Sequence, residues 1–349
     1  MKKQINYMMT LGLLFCSLLY AGDEREINLK GKWLFEIGDN LEWSQPDFDD
    51  SKWDVIYVPA RWEEQDYPGY DGYAWYRRWV YIPKNLKTEI LFLTMGFIDD
   101  VDQVFVNGNM VGGKGNYPPR YKTAYAEFRR YYLPKEYIKF GEKNLIAVRV
   151  YDDEQAGGIT GGDPGIYSVR GKHVPELDLG GFWKFKTGDN KAWIDPKLND
   201  KNWDEIIVPG NWEHQGYPEY DGFAWYRKHF RWPDEFDDDD LVLLLGRIDD
   251  ADQAYLNGER IGSTGPMPEE PYHGKFGDWY RDERAYKIPD GLINRRGDNV
   301  LVVRVFDAWY DGGIYDIPIG ITSRDALEER RREKGEWNLG DFLIRILEE

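Results

Sequence analysis

Three carboxylates in four positions, Asp99, Asp100 and Asp102, follow Ile98, and the same run returns as Ile248, Asp249, Asp250 and Asp252. Acid–base chemistry on a sugar bond needs two carboxylates about 5–10 Å apart, one of them with a raised pKa. On a strand, alternation would put Asp100 and Asp102 on one face. Against catalysis, both copies keep the whole cluster, which suits a structural turn better than an active centre. Hard oxygen donors abound, so a structural Ca²⁺ is open, but no EF-hand spacing is present. The acid runs therefore yield no catalytic residue, no cofactor and no assigned metal ligand.

A second set is aromatic. The stretch Tyr67-Pro68-Gly69-Tyr70-Asp71-Gly72-Tyr73 carries three tyrosines and a carboxylate in a Gly/Pro-rich loop that opens at Trp62. Its counterpart holds Trp212, Tyr217, Tyr220, Asp221 and Phe223. Loops of this composition lie on the surface, where rings are costly unless they cover something. Sugars offer C–H faces that stack on rings and hydroxyls that bond carboxylates. The expected ligand-binding set is therefore Trp62, Tyr67, Tyr70, Asp71 and Tyr73 with Trp212, Tyr217, Tyr220, Asp221 and Phe223; the bland alternative is rings that cap an edge of the fold. The four histidines, His173, His214, His229 and His273, have no histidine partner in the other copy and no zinc spacing. Arg77/Arg227 and Arg149/Arg304 recur and are expected to pair with recurring aspartates.

These residues are positioned by a unit written twice. Trp33, Trp43, Trp53, Trp62 and Trp75 return 150 positions later as Trp183, Trp193, Trp203, Trp212 and Trp225. After Gly265 the offset grows to 155, so that Asp152 and Gly157-Gly158-Ile159 return as Asp307 and Gly312-Gly313-Ile314. An insertion within 266–283 accounts for the change. The elements are strands. Gln103 to Val106 feeds an Asn107-Gly108 turn, the strongest short hairpin signal, and Asn257-Gly258 repeats it. Ile146, Val148 and Val150 alternate as inward residues, matched by Leu301, Val303 and Val305. Each copy of about 145 residues fits one antiparallel sandwich. The domains are expected at 28–172 and 176–323, joined near Gly171 to Pro175. A tail of 324–349 follows, helix-prone from Asp325 to Lys334, stopped by Gly335 and apolar again from Phe342 to Leu347.

Residues 1–21 read as a signal peptide: Lys2 and Lys3, an apolar stretch at 8–19, and Leu19-Tyr20-Ala21 at the cut. That stretch is short for a membrane span, so no span is expected after processing, and the chain is expected to be secreted or periplasmic. Cys16, the only cysteine, offers lipid attachment as a second reading, against which bulky Phe15 counts. The net charge is −18, which repels phosphate backbones and argues against nucleic acid.

The motifs carry a family resemblance. Trp212-Glu213, Gln215-Gly216-Tyr217, Tyr220-Asp221-Gly222, Trp225-Tyr226-Arg227, Ile248-Asp249-Asp250-Ala251-Asp252 and Asn257-Gly258 resemble the sugar-binding jelly-roll domain of glycoside hydrolase family 2. With the strand from Asn299 to Asp307 ahead of Gly312-Gly313-Ile314, they resemble still more the galactose-binding-like accessory domain of sialate O-acetylesterases. The resemblance covers most of 29–321, once per copy. It implies an all-β chain: two tandem galactose-binding-like β-sandwich (jelly-roll) domains with a short C-terminal helical tail. It implies carbohydrate as partner. The catalytic parts of both families have no counterpart here. No Gly-Asp-Ser block, no Asp-x-x-His pair and no Gly-x-Ser-x-Gly elbow occurs, and a barrel needs about 250 residues. The expectation is a non-catalytic carbohydrate-binding or glycan-positioning protein. The alternatives are a glycan-processing hydrolase of glycosidase or esterase type, or an accessory that docks on a separate hydrolase subunit.

Overall fold

A computed structural model describes residues 23–169, 175–233, 236, 239–268 and 278–333. The expected leader (1–21), the stop at Gly335 and the apolar run at 342–347 lie outside the described residues, as do His173, His273 and residues 269–277 of the stretch expected to hold the insertion. The described chain is strand throughout, apart from short 3-10 turns and one helix. It divides into two compact units, residues up to 131 with 137–171, and residues 132–136 with 172 onward.

The first unit is a two-sheet sandwich. One sheet has six strands in the order β3 (Asp54–Val58), β2 (Gly31–Ile37), β4 (Gly72–Ile82), β9 (Glu142–Asp152), β6 (Val101–Val106) and β7 (Asn109–Lys114). The other runs β1 (Asp23–Asn28), β11 (Gly165–Val169), β5 (Ile90–Asp99) and β10 (Gly158–Gly161), with β8 (Phe128–Tyr132) also on β5. Strand β1 lies ahead of residue 28 and pairs antiparallel with β11, so the sandwich takes it in. Period-2 alternation buries Trp33 and Phe35 on β2, with Ala74 and Tyr76 on β4. Asn107 and Gly108 both take positive φ, +50° and +85°, as a two-residue hairpin between β6 and β7 requires.

The second face of the six-stranded sheet is covered too. Trp43, Trp53, Trp75 and Phe105 form a separate apolar cluster there. Arg77, 0% exposed, runs through it, donating to Asp50 Oδ2 at 2.7 Å and lying 5.6 Å from the Trp53 ring. Its repeat partner Arg227 holds Asp200 at 2.8 Å. Arg149 and Arg304 clamp Asp39 and Asp189. Both arginine pairs thus meet recurring aspartates.

The second unit repeats the plan. One sheet runs β14 (Asp204–Val208), β13 (Gly181–Thr187), β16 (Gly222–Arg231), β21 (Asp298–Asp307), β18 (Ala251–Leu256) and β19 (Glu259–Thr264). The other runs β12 (Leu177–Asp178), β23 (Ile319–Ser323), β17 (Leu241–Asp249), β22 (Gly313–Ile314) and β15 (Gly210–Asn211), with β20 (Glu283–Lys287) on β17. Its core takes Trp183, Phe185 and Tyr226 from the first sheet and Leu243, Leu245 and Ile321 from the second. Helix α1 (Arg324–Glu333) follows β23 and lays Leu327 on Val242 and Leu244. No helix among the described residues is long and apolar enough to cross a membrane.

Candidate functional site: a carboxylate floor beside an aromatic wall

The chain crosses between the sheets at the β5–β6 junction, and the cis peptide Asp99–Asp100 sits there. Strand β9 ends on Asp152, paired with Gly72, while Asp99 pairs with Gly158. These pairings gather three carboxylates, with oxygens of Asp99, Asp100 and Asp152 all within 4.8 Å of one another. Glu63, on the 3-10 turn after β3, joins them by accepting from Gly157 N at 2.9 Å. The loop between β9 and β10 needs glycine at 157, because a Cβ there would fall 2.0 Å from the Trp62 ring.

Asp102 does not belong to this floor. The expected shared strand face of Asp100 and Asp102 is absent, because Asp100 lies in the bend between β5 and β6, outside the strand that carries Asp102. Asp102 is buried elsewhere, accepting from Arg129 Nε at 2.8 Å and from the Tyr131 hydroxyl. Asp100 accepts from Thr123 Oγ1 and, at 3.1 Å, from Asp153 N.

The floor's members have divergent acidities. Burial first, then the charges of Asp100 and Asp99, push Asp152 up to about 8. Burial, then Asp100, pushes Asp99 up to about 6. Burial acts on Asp100 as well, but hydrogen bonds from Thr123, Tyr121 and Asp153 N–H outweigh it and hold that carboxyl below its ordinary value. One carboxylate that ionises readily thus stands beside two that are held above the ordinary carboxylate range.

Beside the floor rises a wall of tyrosines. Tyr73 stacks on Tyr117 with centroids 5.7 Å apart, and Tyr151 lies 4.8 Å from Tyr73 and 5.8 Å from Tyr121. The Tyr151 hydroxyl donates to Asp153 at 3.0 Å. Tyr125, 61% exposed, stands two residues from Thr123.

The second unit builds the same floor from Glu213, Asp249, Asp250 and Asp307. Oxygens of the three aspartates again lie within 4.8 Å, and Glu213 accepts from Gly312 N at 2.9 Å. Burial leads in raising Asp249 to about 8, Asp307 to about 7 and Glu213 to about 8. The loop after Asp307 exposes Trp309 at 60% and Tyr310 at 80%.

The ten residues expected to touch a ligand separate into two groups. Trp62 and Trp212 are 0% exposed and donate their indole N–H to Tyr70 O and Tyr220 O, both at 3.0 Å. Tyr67 donates to Asp54 and Tyr217 to Asp204. Tyr70 and Tyr220 donate to the carbonyls of Tyr73 and Phe223 at 2.7 Å. Those six are tied into the turn and its core. Asp71 and Asp221 remain exposed, close enough to Asp152 and Asp307 for their charges to help raise the pKa of those carboxyls. Tyr73 stands in the wall, and Phe223 packs 4.9 Å from Phe306. The sequence reading missed Glu63, Asp152, Glu213 and Asp307 as site residues, although each recurs in register.

Comparison with known proteins returns beta-galactosidases and beta-glucuronidases. Residues 187–311 match the family model described as the beta-galactosidase second all-beta domain. Beta-galactosidase BoGH2A of Bacteroides ovatus is 29% identical over 192 residues, covering 51% of this chain and 21% of that protein. A beta-galactosidase of Vibrio vulnificus is 44% identical over 156 residues, 41% of this chain and 14% of that protein. A putative beta-glucuronidase of Formosa agariphila is 29% identical over 152 residues, 40% and 14%. The chain therefore spans 14–21% of the length of these relatives. Among solved structures, a Bacteroides uniformis beta-glucuronidase aligns over 81% of this chain and 28% of its own at 16% identity and TM-score 0.37. One from Ruminococcus gnavus aligns over 78% and 41% at 11% identity and TM-score 0.36. The second unit is all-β, and residues 187–311 within it are similar to that second all-beta domain of beta-galactosidase.

Proposed function

We propose that this chain is an exported glycan-recognition protein whose two galactose-binding-like sandwiches each present a sugar to the carboxylate floor and its aromatic rim. It would work beside a catalytic domain supplied by the same or another polypeptide. The observation that carries the reading is the combination, found twice, of exposed rings and clustered carboxylates at the strand ends of a sandwich. Rings supply stacking area for C–H faces, and exposed Asp71 and Asp221 supply hydroxyl acceptors. Burying most of one ring contributes about 1.5–3 kcal/mol, and a charged hydrogen bond about as much. Ordering costs reduce the sum, so each site binds weakly, with Kd nearer millimolar than nanomolar. Two sites on one chain raise avidity for a polymer.

The test is a glycan array on the exported chain, followed by calorimetry with the best ligand. Tyr125→Ala with Trp309→Ala should weaken binding at least tenfold without moving the melting temperature. Unchanged affinity in the double variant overturns the reading. The opposed acidities of Asp100 and Asp152 favour hydrolysis as a second reading. Turnover of p-nitrophenyl β-galactoside or β-glucuronide that vanishes in Asp152→Asn would establish it.

A further inference from the structure

The floor has a property that sugar recognition does not require. Asp152 is 0% exposed and neither of its carboxylate oxygens accepts a hydrogen bond. Buried polar atoms are seldom left that way. The fully buried Tyr76 hydroxyl lies near enough to Glu63 and Asp152 to feel both charges. Glu63 Oε2 is buried without a partner. The second unit repeats the pattern at Asp307 Oδ2 and Glu213 Oε2. Among the described residues, no lysine or arginine closes an ion pair on any of these carboxylates. Acceptor oxygens that converge without donors are what a bound cation satisfies.

We propose that each unit binds one Ca²⁺ ion, held in the first by Asp99, Asp100 and Asp152 with Glu63 beside them, and in the second by Asp249, Asp250 and Asp307 with Glu213. The donor set selects the ion. It is all oxygen, with no histidine or cysteine in either group, so softer metals gain nothing. Ca²⁺ accepts six to eight oxygens in flexible geometry, whereas Mg²⁺ keeps its waters and takes one or two carboxylates. Three carboxylates from two chain segments, with a fourth nearby, fit the larger ion. The ion would join the β5–β6 junction to the end of β9 and brace the loops that carry the aromatic rim. This inference stands apart from the sugar reading, because it requires only the floor.

The experiment uses the full chain freed of metal by EDTA and then dialysed. Calorimetric titration with CaCl₂ should count two ions per chain. Asp152→Asn and Asp307→Asn should each leave one, and the double variant none. Tb³⁺ should show tyrosine- and tryptophan-sensitised emission that CaCl₂ quenches, a readout on the unmutated chain that survives any folding defect of the variants. Three results each overturn the proposal. The first is no heat and no Tb³⁺ emission at CaCl₂ or TbCl₃ on the order of 10 mM, above the weakest extracellular Ca²⁺ modules. The second is two ions still bound in a folded double variant. The third is Mg²⁺ binding as tightly as Ca²⁺.

Discussion

Replacing Arg129 with Met should be among the most damaging single changes in the first unit. The guanidinium is 0% exposed and donates to Asp102 Oδ1 at 2.8 Å, to Asp100 O at 2.9 Å, and to the carbonyls of Ala124 and Glu127. Asp102 is 0% exposed in its side chain and would keep only the Tyr131 hydroxyl. Stranding one partner of a buried pair costs about 3–5 kcal/mol. For a domain of this size each kcal/mol lowers the melting temperature by roughly 2–4 °C, so the first unit should melt about 6–20 °C lower. Calorimetric or circular-dichroism melts measure this directly. The same physics makes a second demand: removing the charge and its partners together should be far milder than removing one. The triple variant Asp102→Leu, Arg129→Met, Tyr131→Phe should recover most of the loss. A single variant within about 1 kcal/mol of the parent, or a triple variant no better than the single, refutes the reasoning. Arg284, bonded at 2.9 Å both to Asp252 and to Asp250 O, offers the same experiment in the second unit.

Gly157→Ala should destabilise the first unit by about 1–3 kcal/mol through overpacking, since the new methyl falls 2.0 Å from Trp62; a chemical-denaturation midpoint unchanged from the parent would count against that packing. Asp200 gives a pH signature. Burial raises its pKa, but hydrogen bonds from Arg227 and from His229 at 2.7 Å outweigh it and hold the carboxyl below its ordinary value. A lowered folded-state pKa stabilises above the unfolded value, near 4, and that stability is lost as pH falls further. The stability gap between parent and Asp200→Asn should therefore be widest above about pH 4 and narrow toward pH 2; a gap constant across that range in urea titrations would disprove the linkage.

The fold was legible because its signals are local or periodic. The Asn107-Gly108 hairpin, the alternation through Ile146, Val148 and Val150, and the recurrence at a fixed offset all survive in a linear reading. The site was less so. Asp99 and Asp100 were visible as a run, yet their partners Asp152 and Glu63 come from distant segments that only the sheet pairing unites. Asp102 looked like a third member by strand alternation, but Asp100 sits in the bend ahead of β6, and Asp102 on that strand meets Arg129 instead. The aromatic loop misled for a different reason. Ring count and glycine content do not say whether a ring faces solvent, and Trp62 is drawn inward by the indole bond to Tyr70 O and by the glycine at 157. The one usable signal was register: Glu63/Glu213 and Asp152/Asp307 recur as faithfully as the tryptophans that build the core.

Duplication also supplies an internal comparison that separates floor from wall. Every carboxylate of the floor is identical in the two units, whereas the wall is not. Tyr73 and Tyr151 of the first unit stand where the second has Phe223 and Phe306. Two hydroxyl groups are lost while the ring above Arg149 persists: Arg149 lies 4.9 Å from Tyr73, and Arg304 4.3 Å from Phe223. The second unit instead places Trp309 and Tyr310 in solvent on the loop after Asp307, where the first has Glu154 and Gln155. Buried carboxylates cost stability whatever ligand the protein meets, so an unchanged floor marks a task common to both units. Exposed rings and hydroxyls are free to change with the ligand, because little of the fold depends on them. The floor thus carries what the two units share, and the wall carries what differs between them; on the proposed sugar reading, that difference is where their ligand preferences would diverge.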